Sequence, residues 1–179
     1  MPRLFTGLEI PDDVSFALSL KRGGLGHSRW IDPINYHITL RYIGDVDIQM
    51  GNAVANCLDK FHLEPPFKVT INHLGVFGGS RPRALYAGLQ PCAALDNLQS
   101  AHERALHKLG LPSDGRKYTP HVTLARLKGV SAKDVALHIE QAGAFVSLCF
   151  TIDQFALYSA KDSVGGGPYV VEERYDLAG

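Results

Sequence analysis

Apolar residues fall at alternate positions, or in short β-favouring runs, over several stretches that read as strands. These are Leu4–Ile10, Asn35–Ile43, Phe67–Phe77, Ala84–Leu89, His121–Leu127, Val146–Tyr158 and Tyr169–Tyr175. Elsewhere the apolar residues recur at helical spacing. Asp12 to Leu20, Ile48 to Phe61, Ala94 to Leu109 and Ser131 to about Ala142 read as helices. The punctuation agrees. Pro11, Gly44 and Pro65-Pro66 end elements, Gly110 with Pro112 stops a helix, and Gly143 follows the last one. Asp12-Asp13 place negative charge at a helix start, where the backbone dipole is positive. Gly78-Gly79-Ser80 joins two strands as a hairpin. Gly23–Ser28, Ser113–Thr119 and Ser159–Pro168 read as loops, the last a mobile hairpin loop through Gly165-Gly166-Gly167.

The second half repeats the first in outline: helix, strand, helix, hairpin. That repetition suggests duplication of one α+β unit. The expected architecture is bilobal, with two mostly antiparallel sheets facing a central groove and helices outside, all within one domain spanning 1–179.

Inside the repeat lies a sharper one. His37-Ile38-Thr39-Leu40 recurs 84 positions later as His121-Val122-Thr123-Leu124. In a strand, His and Thr at i and i+2 share a face, with backbones roughly 6–7 Å apart. The apolar partners point the other way, into a core. One such strand is ordinary, because Thr favours β structure and a lone His is usually structural. Two copies in matching surroundings point to a shared site.

Splitting a phosphodiester requires removing a proton from the nucleophile and delivering one to the leaving oxygen. Imidazole suits both tasks, with an unperturbed pKa of about 6.5. The hydroxyls of Thr39 and Thr123 can donate to the non-bridging oxygens, where negative charge must be held. Arg126 would supply a cation, but regular alternation puts it on the wrong face, so a bend or bulge must turn it inward. Arg41 has the same difficulty and is a weaker candidate.

Composition narrows the class. Lysines and arginines number 18, as do aspartates and glutamates, so no general basic coat exists for nucleic acid. An RNA substrate must then be gripped locally, at an end. Cys57, Cys92 and Cys149 are an odd set without close pairs, which argues against a disulfide framework or structural zinc. Each is expected to pack as a small apolar residue, in a reducing compartment. The chain opens without a signal peptide's apolar run and contains no stretch suited to crossing a membrane. A cytoplasmic protein is expected.

Other features are weaker. His102 and His107 are spaced i, i+5, about 140° apart on a helix, and read as solvated surface rather than metal ligands. His27, His62, His73 and His138 have no ligand spacing. Gly23-Gly24-Leu25-Gly26 lacks the remainder of a phosphate loop. Arg81-Pro82-Arg83 and Arg116-Lys117 are small basic clusters, ordinarily solvated, with phosphate steering as the alternative.

At the paired motifs and their flanks the chain resembles the two-histidine (2H) phosphoesterase superfamily, and within it the RNA 2′,3′-cyclic phosphodiesterases, also called 2′-5′ RNA ligases. The flanks are Arg3-Leu4-Phe5 to Glu9-Ile10-Pro11, Trp30–Leu40 with Ile43-Gly44, Tyr118–Arg126, and Leu157-Tyr158-Ser159 with Gly167-Pro168-Tyr169 and Tyr175. Arg41-Tyr42, Asp32 and Ile34 depart from the commoner pattern. The resemblance implies a bilobal α+β fold, no metal or cofactor, and opening of 2′,3′-cyclic phosphate ends of RNA or nucleotides to 2′-phosphates. On that reading His121 activates water, His37 protonates the departing 3′ oxygen, and Thr39 and Thr123 hold the phosphate. Arg126, Tyr42 and Tyr169 are the candidate substrate contacts. The expected partners are RNA ends or nucleotides with a 2′,3′-cyclic phosphate, no membrane is expected to be involved, and the protein is expected to be a monomer. The alternatives are a 2′-5′ oligoadenylate phosphodiesterase and a non-catalytic nucleotide- or RNA-binding module.

Overall fold

A computed structural model describes residues 2–61, 65–160 and 165–178. In chain order these form β1 (Arg3–Glu9), α1 (Asp12–Ser19), β2 (Ser28–Trp30), a 3-10 turn (Pro33–Asn35), β3 (His37–Asp45) and α2 (Ile48–Leu58). Then follow β4 (Phe67–Phe77), β5 (Ala84–Leu89), α3 (Ala93–Lys108), β6 (His121–Leu127), α4 (Ala132–Gln141), β7 (Leu148–Ile152), β8 (Gln154–Ser159) and β9 (Val170–Asp176). Helix starts follow their local chemistry. The Asp47 side chain caps α2 by accepting from the Met50 N–H at 2.7 Å, and Ser131 caps α4 by accepting from Asp134 N–H at 3.0 Å.

The fold is α+β, and all the strand pairings are antiparallel. The strand order is β7-β4-β5-β6-β3-β1-β8-β9, with β2 beside β6. Two halves, one of four strands and one of four with β2 added beside β6, meet at the motif strands β3 and β6, whose pairing is limited to Ile38 opposite Val122. Continued by one residue each way, that register sets His37 across from Thr123 and Thr39 across from His121.

The halves are not the two halves of the sequence. One runs from β4 to β7 and borrows only β2 from earlier in the chain; the other takes β1 and β3 from the start of the chain and β8 and β9 from its end. The hairpin after the first motif therefore joins the second motif strand. The expected single strand Val146–Tyr158 is also two strands. β7 pairs with β4 in one half, and after Asp153 β8 pairs with β1 in the other. The alternation slips phase there, at the consecutive polar pair Asp153-Gln154, but a phase slip does not say which strand lies beside either part. Nor does pattern show β2, three residues long, or the 3-10 turn that holds Asn35 out of the expected strand.

The main core lies between the sheet and the helices. Ile38, Leu40, Val122 and Leu124 pack there with Leu18 of α1, Leu58 of α2 and Leu98 of α3. A smaller cluster joins Val135 of α4 to Leu85, Ala125 and Leu127. On the opposite face, Phe5, Ala156, Tyr158 and Ala160 pack under Tyr169 and Val171.

Three expectations need correction. His102 is not solvated: it is fully buried, its Nδ1 lies 3.0 Å from the Thr6 hydroxyl, and its ring sits against Phe61 and Phe155. It occupies the apolar stripe of α3 one residue beyond Ala101, whereas His107 is exposed. Cys149 is exposed on an outer strand rather than packed, while Cys57 and Cys92 are half-buried; all three are free thiols. Within the expected mobile loop, Gly165–Pro168 is docked. Gly166 N–H donates to the Tyr169 hydroxyl at 2.8 Å, and Tyr169 N–H to Asn35 Oδ1 at 3.2 Å. Residues 161–164 of that loop, and His62, lie outside the described residues.

Candidate active site

Both motif strands alternate as expected through the first four residues. Ile38, Leu40, Val122 and Leu124 are buried on one side, while His37, Thr39, His121 and Thr123 are partly exposed on the other. Each strand then breaks its alternation at the same place. Thr6 pairs with Arg41 and Gly7 with Thr39, leaving Leu40 without an opposite residue. Leu85 pairs with Ala125 and Tyr86 with Thr123, leaving Leu124 likewise. A bulge of this kind re-aims every following side chain. Arg126 is thereby turned toward the motif face, and Tyr42 reaches the same face at the matching position.

The outcome is one cavity of about 250 Å³ between the two halves. Its lining includes His37, Thr39, Tyr42, His121, Thr123, Arg126 and Tyr169, the whole set of sequence-derived candidates. Arg41 goes the other way. Its guanidinium is buried, ion-paired with Glu103, and donates to the carbonyls of Tyr42 and Pro112. It braces the strand and is absent from the cavity.

The two imidazoles are held alike. His37 Nδ1 is 2.9 Å from the Asn35 carbonyl and His121 Nδ1 is 2.6 Å from the Thr119 carbonyl. A carbonyl only accepts, so each Nδ1 carries the proton and each Nε2 is the free base of the neutral ring. His37 Nε2 accepts from the Thr39 hydroxyl at 3.0 Å. Rings pack around His37: Phe5 at 4.9 Å, Tyr169 edge-on at 4.9 Å and Tyr158 at 5.6 Å. This desolvation, opposed by the Asn35 carbonyl and aided by His121 and Arg126, pulls the His37 pKa down to about 4. His121 is also lowered, chiefly by burial, with Arg126 adding to it against the Thr119 hydrogen bond. Two neutral imidazoles and a guanidinium therefore face one cavity, a good receptor for an anion.

Among the described residues, no group of three or more His, Cys, Asp or Glu side chains is placed to hold a metal ion. No helix among them is long and apolar enough to cross a membrane.

Comparison with known proteins places this geometry. The model of the 2′-5′ RNA ligase superfamily matches residues 25–163, a span that contains both motifs. The chain belongs to the 2′-5′ RNA ligase superfamily. Among its relatives in that superfamily, an RNA 2′,3′-cyclic phosphodiesterase of Aquifex aeolicus (strain VF5) is 28% identical over 96% of this chain and 91% of its own. One of Bacillus subtilis (strain 168) is 30% identical over 70% and 71%. Among solved structures, E. coli LigT complexed with 3′-AMP superposes over 100% of both chains, with a TM-score of 0.78 and 22% identity. TT0787 of Thermus thermophilus gives a TM-score of 0.81 over 99% of this chain and 98% of its own, at 22% identity. At that identity the structural likeness is one of fold.

Sequence reasoning overlooked several cavity residues in this superfamily member. Asn35 does double duty: its carbonyl fixes His37, and its side chain accepts from Tyr169 N–H. Asn35 and Thr119 each stand two residues before a histidine, a matched position that could have been noticed. Arg3, Phe5 and Ile31 also line the cavity, and only the tertiary fold brings them there.

Proposed function

We propose that this chain is an RNA 2′,3′-cyclic phosphodiesterase, opening terminal 2′,3′-cyclic phosphates to 2′-phosphates by histidine acid–base chemistry. The observation that carries this reading is the convergence of His37 and His121, from opposite halves, on a cavity that also receives Thr39, Thr123 and Arg126. The relatives named for that activity support it.

The cyclic phosphate enters between the imidazoles as an anion. Its charge favours their protonated forms, against the desolvation that lowers both pKa values in the free enzyme. His121 Nε2 takes a proton from water as the water oxygen bonds to phosphorus. The P–O3′ bond breaks, and the 3′ oxygen leaves with a proton from His37. The Thr39 and Thr123 hydroxyls and Arg126 hold the non-bridging oxygens, whose charge grows in the transition state. Tyr42 and Tyr169 wall the ribose side. Run backwards with a ribose hydroxyl in place of water, the same steps make a 2′-5′ linkage; water's abundance favours hydrolysis. The whole chain acts as one two-lobed domain, and a single copy carries every group, so a monomer suffices.

Hydrolysis of a 2′,3′-cyclic nucleotide and of a cyclic-phosphate-ended oligonucleotide, in excess EDTA, tests the reading. Metal-independent release of the 2′-phosphate is expected, falling at least about 100-fold in both His37→Ala and His121→Ala. No turnover of either substrate would overturn it, in favour of 2′-5′ oligoadenylate cleavage or nucleotide binding alone. Assignment of roles has its own test. An activated aryl ester needs no proton on its leaving group, so His37→Ala is expected to lose far less activity on it than His121→Ala. The reverse result exchanges the two roles.

A further inference from the structure

Beside the catalytic cavity, the half of the sheet that carries His121 has an unusual charge. Strands β4, β5, β6 and β7 contain no Asp or Glu, whereas the other half holds Glu9, Asp45, Glu172, Glu173 and Asp176. On the acidic half, the strand cations Arg3 and Arg174 are engaged by Asp45 and Glu9, and the Phe5–Tyr158 stack is covered by Tyr169. On the acid-free half, the strand cations Lys68 and Arg126 form no ion pair among the described residues.

Its register aligns three rungs that lead away from the site. His121 lies opposite Gly88, which lies opposite His73; Thr123 leads to Tyr86 and Gly75; Arg126 leads to Ala84 and Phe77. With strands about 4.8 Å apart, the rungs carry the surface about 10 Å from β6 to β4. Tyr86 extends over Gly75, where a Cβ would collide with its ring. Phe77 stacks on Tyr86 with centroids 4.3 Å apart and planes 27° apart, and meets His121 edge-on at 4.8 Å. Both rings are half-buried, and both lie outside the lining of the catalytic cavity. Just beyond Phe77, the exposed Arg81 stands in the hairpin turn.

We propose that this acid-free face binds the RNA strand leading up to the cyclic phosphate, the base of the adjacent nucleotide stacking on the Phe77–Tyr86 pair and the backbone passing the Arg81 turn. The proposal rests on the cyclic-phosphodiesterase reading and adds the length and polarity of the substrate. An aromatic pair stacks any base through its π face, and a cationic surface without carboxylates tracks a phosphate backbone. A chain with no net charge can thus hold single-stranded RNA through one locally biased face.

Steady-state kinetics on a 2′,3′-cyclic mononucleotide, and on a short single-stranded RNA ending in the same cyclic nucleotide, test this. The variants are Phe77→Leu, which keeps apolar cover over His121, and Arg81→Glu. The native protein is expected to show a KM about 10-fold lower for the oligonucleotide. Both variants should erase most of that advantage while leaving mononucleotide kcat and KM within about twofold, and the Arg81→Glu deficit should shrink as salt is added. Equal KM for the two substrates in the native protein, or variants that affect both substrates alike, would overturn the proposal. If neither substrate is turned over, the cyclic-phosphodiesterase reading fails separately. Anisotropy with a labelled 3′-phosphorylated oligonucleotide then decides the face: affinity unchanged in both variants overturns it, and weakened binding supports it.

Discussion

At the scale of single residues, the cavity presents two histidines whose tautomers are set by neighbouring carbonyls and whose charge is set by burial. Both pKa values lie below the ordinary 6.5, His37 near 4. A pair that needs one base and one acid holds a single proton only between its two pKa values. The kcat/KM profile, which reports the free enzyme, is therefore expected to peak on the acid side of 6.5. The kcat profile reports the complex, where the bound anion raises both values, and should lie at higher pH. Coincident profiles centred above 6.5 would contradict this. Thr123→Val keeps shape and removes the donor proposed for the phosphate, so kcat should fall by about 100-fold with little change in stability. Parallel turnover and thermal-melt measurements check it. Histidine and threonine identities were legible from the repeat alone. Asn35 was legible only as the match of Thr119, each two residues before a histidine; its side-chain contact with Tyr169 is one that no pattern encodes.

At the scale of elements, the decisive feature is the matched bulge at Leu40 and Leu124. Sequence alternation predicted Arg126 on the wrong face and required a bend; the bulge is that bend. It also explains why Arg41 faces inward to Glu103 and Tyr42 outward to the cavity. Arg41 and Glu103 side chains are 7% and 21% exposed, so removing one leaves the other with a poorly solvated charge. Arg41→Ala is expected to cost about 3 kcal/mol of stability in urea titration. Gly7 marks the other limit on these strands. A Cβ there would sit 2.8 Å from the Ile38 carbonyl and 3.3 Å from the Tyr158 ring. Gly7→Ala should therefore force β1 away from β3, lowering both the melting temperature and activity. An unchanged melt would show that the β1–β3 pairing yields easily.

At the scale of the whole molecule, the two halves interleave, so the chain ends close the lobe that holds His37. The packing against α3 also carries a titratable group, His102, fully buried with its pKa lowered to about 3 by desolvation. The sign follows from proton uptake. Below 6.5 the unfolded chain protonates His102 and His37 while the folded protein resists, so stability falls as pH drops through that range toward about 3. The loss is up to about 1.4 kcal/mol per pH unit for each group. His102→Gln, which can still bond Thr6, should flatten the curve between pH 6.5 and 4 in urea titrations. A slope equal to the native one would show that His102 does not control it.

What the sequence determined by itself was local. Period-two and helical patterns placed most strands and helices, and two identical His-x-Thr strands declared their chemistry, because side-chain direction along a strand depends only on neighbours in the chain. What the tertiary structure alone decided was relational. It determined that Val146–Tyr158 divides between lobes, that a hairpin crosses to the other motif's sheet, that His102 is core, and that two bulges aim Arg126 and Tyr42 into one cavity. Those outcomes depend on which strand lies beside which, and hydrogen-bonded register between distant segments leaves no period in the sequence.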